Sequence, residues 1–179
     1  MRSYSSIFSI LALCFSFLSV SAQRFEVRIS PSLHDNVFDG RLLLLFANND
    51  RAEPRFQISD ALQTQIVLGK DVNGWKTGEV QTIAEDAFGF PIERLNQVPI
   101  GDYYVQVLLH KYETFHLKNG KMVKLPMDRG EGQHWESAPG NVYSKPVKIH
   151  FDPQRAEAFS MLIDQIIPPI AEPADTRYI

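Results

Sequence analysis

Within the stretch LPMDRGEGQHWESAPGNVYS, residues 125 to 144, Asp128, Arg129, Glu131, His134, Trp135 and Glu136 set hydrogen-bonding groups around an indole. Sites for sugars and peptides use that mixture, in which a flat apolar ring meets a few polar groups. The stretch is too long for a hairpin turn, and loops of such length without structure of their own are commonly functional or disordered. Gly130, Gly132, Pro139 and Gly140 are also what any long excursion requires. Two roles stand side by side. Either Trp135 packs against the core or a neighbouring domain, or Trp135, His134, Arg129 and Tyr143 contact a ligand.

The rest of the chain offers less chemistry. A serine hydrolase of the common kind places its nucleophile on a sharp G-x-S-x-G turn, and no such motif occurs. The histidines are His34, His110, His116, His134 and His150, with no H-x-x-x-H pair among them. His110 and His116 would share a sheet face if one strand ran straight through Glu113-Thr114. Two ligands still fall short of the three or four that zinc needs, so both read as solvent-facing strand histidines. Asn48-Asn49-Asp50 and Asp71-Val72-Asn73-Gly74 carry oxygen ligands but lack the spacing and closing glutamate of a calcium loop, and turn chemistry accounts for them. Glu85-Asp86 and Glu131-Glu136 could act as acid and base on a glycoside, yet nothing in the sequence builds a site around either pair. The sequence therefore assigns no catalytic residue, no metal and no cofactor.

The first residues bear on compartment. Arg2, the 14-residue apolar run Ile7–Val20 and the small residues Ser21-Ala22 have the three-part form of a secretory signal peptide cleaved after Ala22. The run is shorter than the roughly 20 residues of a membrane-spanning helix. A lipoprotein signal ending at Cys14 is disfavoured by Leu13 and Phe15 on either side. Export to the periplasm or the exterior follows, with no membrane attachment after cleavage. Residues 23–179 suit one domain with a real core. Cys14 is the only cysteine, so the exported chain would fold without disulfides. The formal net charge of −3 and the lack of a basic patch argue against nucleic acid as a partner.

The elements that must position these residues read as strands. Phe25, Val27 and Ile29 alternate with charged residues, and RLLLLFA, 41 to 47, is a strand covered on both faces. Residues 55–58, 65–68 and 79–83 are shorter strand candidates, with Asn73-Gly74 as a tight turn between two of them. In VPIGDYYVQVLLHKY, 98 to 112, Tyr103, Val105, Val107 and Leu109 line one face of a central strand, and Tyr104, Gln106, Leu108 and His110 line the other. Asn119-Gly120 marks a hairpin, and 143–151 gives one more strand. Residues 155–167 fit a helix or a strand equally well. Pro168, Pro169 and Pro173 then make a stiff tail. About eight strands and no long amphipathic helix predict an all-β sandwich or open barrel.

The segments FDGRLLLLFANNDRAEPRF, VNGWKTGE, AFGFP, VPIGDYYVQVLLHKYETFHL, KLPMDRGEGQHWESAPGNVYS and IIPP, in this order and spacing, resemble the amino-terminal domain of secreted bacterial esterases of the enterochelin-esterase-like kind. The most specific parts are G-R-L, P-x-G-x-Y-x-V-Q and P-G-N-x-Y-S. The resemblance covers residues 38–179 and implies an antiparallel, immunoglobulin-like β-sandwich over 23–167. It favours a strand at 155–167 and makes residues 168–179 a linker into a hydrolase domain that would carry the catalytic residues. The expectation is a non-catalytic accessory domain that packs on a hydrolase domain and shapes its entrance. The alternative is a free-standing carbohydrate- or peptide-binding module.

Overall fold

The computed structural model describes residues 23–33, 37–61, 63–130 and 132–171. The signal-peptide assignment, His34, Glu131 and the end of the proline-rich tail lie outside the described residues. Among the described residues, eleven strands make up most of the regular structure: β1 (Arg24–Ile29), β2 (Val37–Ala47), β3 (Ile66–Lys76), β4 (Val80–Ile83), β5 (Phe88–Phe90), β6 (Gly101–Lys111), β7 (Glu113–His116), β8 (Met122–Leu125), β9 (Val142–Ser144), β10 (Val147–Phe151) and β11 (Ala158–Ile166). The all-β class is what alternation predicted.

Nine strands form one sheet in the order β4-β1-β11-β9-β6-β2-β3-β5, with β10 also pairing β6, and β7-β8 form a separate ribbon. The expectation of a purely antiparallel arrangement needs correction. β1 runs parallel to β11, Arg24 opposite Ala158 through Ile29 opposite Ile163, so the sheet is mixed. The sheet also curls. β1 and β2 are not neighbours in it, yet the Phe25 and Phe46 rings meet edge to face at 5.7 Å, and Phe151 packs against both. The curl is fastened where β3 turns into β4: Lys70 donates to the Thr82 carbonyl at 2.9 Å and pairs with Asp86, and the Trp75 indole donates to the Glu79 carbonyl at 3.1 Å.

The inner face of this curl is the main core. Phe25, Val27 and Ile29 from β1, Leu42, Leu44 and Phe46 from β2, Tyr103, Val105, Val107 and Leu109 from β6, and Met161 and Ile163 from β11 are buried together. Each set is an every-other-residue series, as a strand's alternation of faces requires. With no disulfide among the described residues, this burial is the main source of stability, at about 25 cal/mol per Å² of apolar surface. β2 is buried on its second face too, where Leu43 and Leu45 join Leu108 and Ile167 in a smaller cluster. That bears out the reading of RLLLLFA as a strand covered on both sides.

Local signals were followed in some places and overridden in others. Asn119-Gly120 does turn β7 into β8, with Lys121 N–H on the Asn119 side chain. Residues 158–166 resolve to a strand. Residues 54–56, by contrast, form a 3-10 turn begun by Pro54, not the strand expected over 55–58. Asn73-Gly74 makes no hairpin: β3 runs on to Lys76, and the extra residue becomes a bulge opposite Asp39, between the Phe38–Trp75 and Gly40–Val72 pairs, held by Gly74 N–H donating to Asp39 at 2.7 Å. The strand expected at 143–151 is broken at Lys145-Pro146 into β9 and β10, both beside β6. His110 and His116 do not share a face, because the chain leaves the main sheet at Tyr112 and His116 lies on the ribbon.

Candidate functional site

The outer face of the curled sheet carries a concavity that strand register builds. Across β5, β3, β2, β6 and β9, Phe88, Gly69, Leu43, Leu108 and Tyr143 lie opposite one another in a row. The next row on one side is Phe90, Val67, Leu45 and Gln106; on the other it is Asp71, Arg41 and His110. All are alternate residues of their strands, so they share one face. The missing side chain at Gly69 leaves a dip in the middle row. A Cβ there would lie 2.9 Å from both Arg41 Nε and Leu43 Cδ2, so these two side chains lean across the position only because it is glycine.

The dip widens into a groove of about 350 Å³ with Leu43, Val67 and Ile58 on its apolar floor. Phe88 and Phe90 stand along one wall, 54% and 50% exposed, and Trp135 stands on the other. One end is polar. Arg41 donates from Nη1 to Asp71 at 2.9 Å and from Nη2 to the Gly69 carbonyl at 3.3 Å. His110 lies on the other side of Arg41, its ring edge-on to Tyr112 at 5.8 Å. Tyr112 is pushed above the usual tyrosine range by burial first and by the Asp71 charge second, so its hydroxyl stays protonated at neutral pH.

A buried polar network holds the loop that carries Trp135. Arg55, 8% exposed, donates from Nη1 to the Glu136 carbonyl at 2.9 Å, pairs through Nε with Glu53 at 2.9 Å, and lies between the Phe56 and Tyr143 rings. Gln106 is fully buried. It donates to Glu53 and to the Ser144 carbonyl and accepts from Arg55 N–H. Asn141 is the second clasp, donating to the Trp135 carbonyl at 2.8 Å and accepting from Lys111 N–H at 2.9 Å. Its backbone carbonyl accepts from Ile167 N–H at 2.8 Å, Gly140 N–H donates to the Ile167 carbonyl at 2.9 Å, and Ser144 Oγ accepts from Val107 N–H. The P-G-N-x-Y-S block thus ties the loop, β6 and the strand end at Ile167 together.

The four residues singled out in the loop do not converge. Trp135 is half-buried on the outer cluster and lines the groove. Tyr143 covers Arg55 on the same face. His134 is exposed and reaches Glu136 at 3.1 Å. Arg129 pairs with Glu113 and borders a separate hollow of about 110 Å³ with Lys111 and Met127. The residues that sequence reasoning passed over as site candidates are Arg41, Gly69, Phe88 and Phe90, and Asp71 was read only as part of a turn. A buried apolar strand with one charge at its end, followed by a strand with a central glycine, was their only signal. Among the described residues, no group of three or more histidine, cysteine, aspartate or glutamate side chains could hold a metal, and no helix is long and apolar enough to cross a membrane. Comparison with protein-family models, curated proteins and solved structures finds no match for the chain.

Proposed function

We propose that residues 23–167 form a non-catalytic, immunoglobulin-like accessory domain of a secreted esterase-like protein, whose outer face packs on a hydrolase domain and shapes the approach to it. The observation that carries this reading is where the resembling segments lie. FDGRLLLLF supplies Arg41 and Leu43, AFGFP supplies Phe88 and Phe90, the 125–144 stretch supplies Trp135, and P-G-N-x-Y-S supplies the clasp, all on one side of the sheet. Contact between Phe25 of β1 and Phe46 of β2 across the curl supports a two-layer arrangement. Phe56, Phe88 and Phe90 are each about half exposed, large apolar side chains suited to burial against another domain. Sequencing the gene through the codon for Ile179 tests the proposal. A hydrolase-coding segment in frame is expected, and a stop codon followed by an unrelated gene overturns it.

The groove favours a second reading, a carbohydrate- or peptide-binding module. Its aromatic walls and single polar end are the features of a ligand site rather than of a flat domain contact.

A further inference from the structure

We infer that the groove over Gly69 is a binding site for a neutral glycoside with an apolar aglycone. The inference rests on the binding-module reading of this face and gives it a ligand class. The floor of Leu43, Val67 and Ile58 and the wall of Phe88 and Phe90 offer almost nothing to hydrogen-bond, so the body of the ligand that lies there is apolar and flat. About 350 Å³ accommodates a ring and its substituent, and falls within the range of small-molecule sites.

The polar end selects the head group by charge. Arg41 and Asp71 sit directly opposite each other on adjacent strands and pair at 2.9 Å, so one positive and one negative group offset each other. A carboxylate or phosphate ligand would approach Arg41 against the Asp71 charge, and a cationic ligand would approach Asp71 against Arg41. A neutral head with adjacent hydroxyls meets neither penalty. One hydroxyl accepts from the Arg41 guanidinium, which lines the groove, and the next donates to Asp71, which is paired with Arg41 just outside that lining and has a side chain 63% exposed. Vicinal hydroxyls on a ring whose other side is apolar describe a pyranose.

Titration of the purified chain with phenyl glucoside, phenyl xyloside and phenyl galactoside tests the assignment by Trp135 fluorescence and calorimetry. Trp75 is 1% exposed and contributes a constant background. At least one phenyl glycoside is expected to saturate with Kd below about 1 mM. Methyl glucoside, which lacks the apolar body, and benzoate, which carries the charge, are each expected to bind roughly tenfold more weakly or worse. Gly69→Val, which fills the dip, should abolish saturation; Phe88→Ala, an exposed edge change that leaves the core untouched, should weaken it. Asp71→Asn should weaken it roughly fivefold, the effect of replacing a charge-assisted bond by a neutral one. Saturation by none of the glycosides, benzoate binding as tightly as they do, or undiminished binding in both Gly69→Val and Phe88→Ala overturns the site. Retention on insoluble polysaccharides separates the two levels. Wild-type retention that Gly69→Val leaves intact overturns the groove but keeps the module reading, and no retention together with no glycoside binding overturns both.

Discussion

Arg55→Met puts the clasp on the Trp135 loop to a direct test. Methionine keeps much of the arginine stem's packing between Phe56 and Tyr143 but removes the guanidinium. What is lost is a charge-assisted bond to the Glu136 carbonyl, worth about 1.5–3 kcal/mol, and the stacking of the cation on two rings, about 0.5–1 kcal/mol. Glu53 is 38% exposed and keeps the Gln106 amide, so it rehydrates in place of becoming a stranded buried charge. The net expected loss is about 2–3 kcal/mol, or roughly 4–12 °C in Tm for a domain of this size. Urea unfolding measures the stability, and acrylamide quenching of the native protein reads the loop. With Trp75 buried, added quenching reports Trp135. Arg55→Lys, which keeps the charge without the planar fork, should fall between the two. A methionine variant within about 0.5 kcal/mol of wild type, quenched to the same degree, refutes the assignment of Arg55 as the loop's anchor.

Three further outcomes are expected. Asn141→Ala strands Lys111 N–H and the Trp135 carbonyl at a site 3% exposed, and should cost about 2–4 kcal/mol in urea unfolding. Gly40→Ala would place a Cβ 2.2 Å from the His110 carbonyl oxygen, forcing β2 away from β6; a loss of about 1–3 kcal/mol and faster amide exchange in both strands should follow. Acid should also weaken the fold through Asp39 and Asp86. The Lys124 hydrogen bond, then Gly74 N–H, holds Asp39 below the usual carboxylate range; burial acts upward on Asp86 but is outweighed by Lys70 and Ala84 N–H. Both are lowered in the folded state, so their contribution is complete above the unfolded value of about 3.9 and is lost as pH falls through the folded values. Combining Asp39→Asn with Asp86→Asn should flatten the decline of the urea midpoint below about pH 4.

Elements whose signal is local were legible in the sequence. The alternation in β1, the two faces of β6 and the Asn119-Gly120 hairpin each need only their own residues. The misread segments answer to distant partners. Residues 55–58 became a 3-10 turn because Arg55 is drawn inward by Glu136 and Gln106, far away in the chain. Asn73-Gly74 became a bulge because the Asp39 carboxylate takes its N–H. The parallel pairing of β1 with β11 joins the two ends of the domain, and no periodicity reports it. The groove was hidden for the same reason. Asp71, Arg41 and His110 look unrelated until register sets them side by side, and Gly69 looks like any strand glycine until Phe88 and Leu43 flank it. Trp135 was conspicuous by type, and the loop around it by length. Its neighbours His134 and Arg129 shared that prominence, but their side chains turn to Glu136 and Glu113.

The bond from Lys70 to the Thr82 carbonyl bears on how copies of the protein meet. β4 is a terminal strand of the large sheet, and a bare terminal strand offers its backbone acceptors to any strand from another molecule. Lys70 occupies a β4 carbonyl with a charged group that Asp86 holds in place. An incoming strand would have to displace that ammonium and desolvate it. The side chain that fastens the curl therefore also guards against edge-to-edge aggregation, and it does so within a chain whose described part has no disulfide to fall back on.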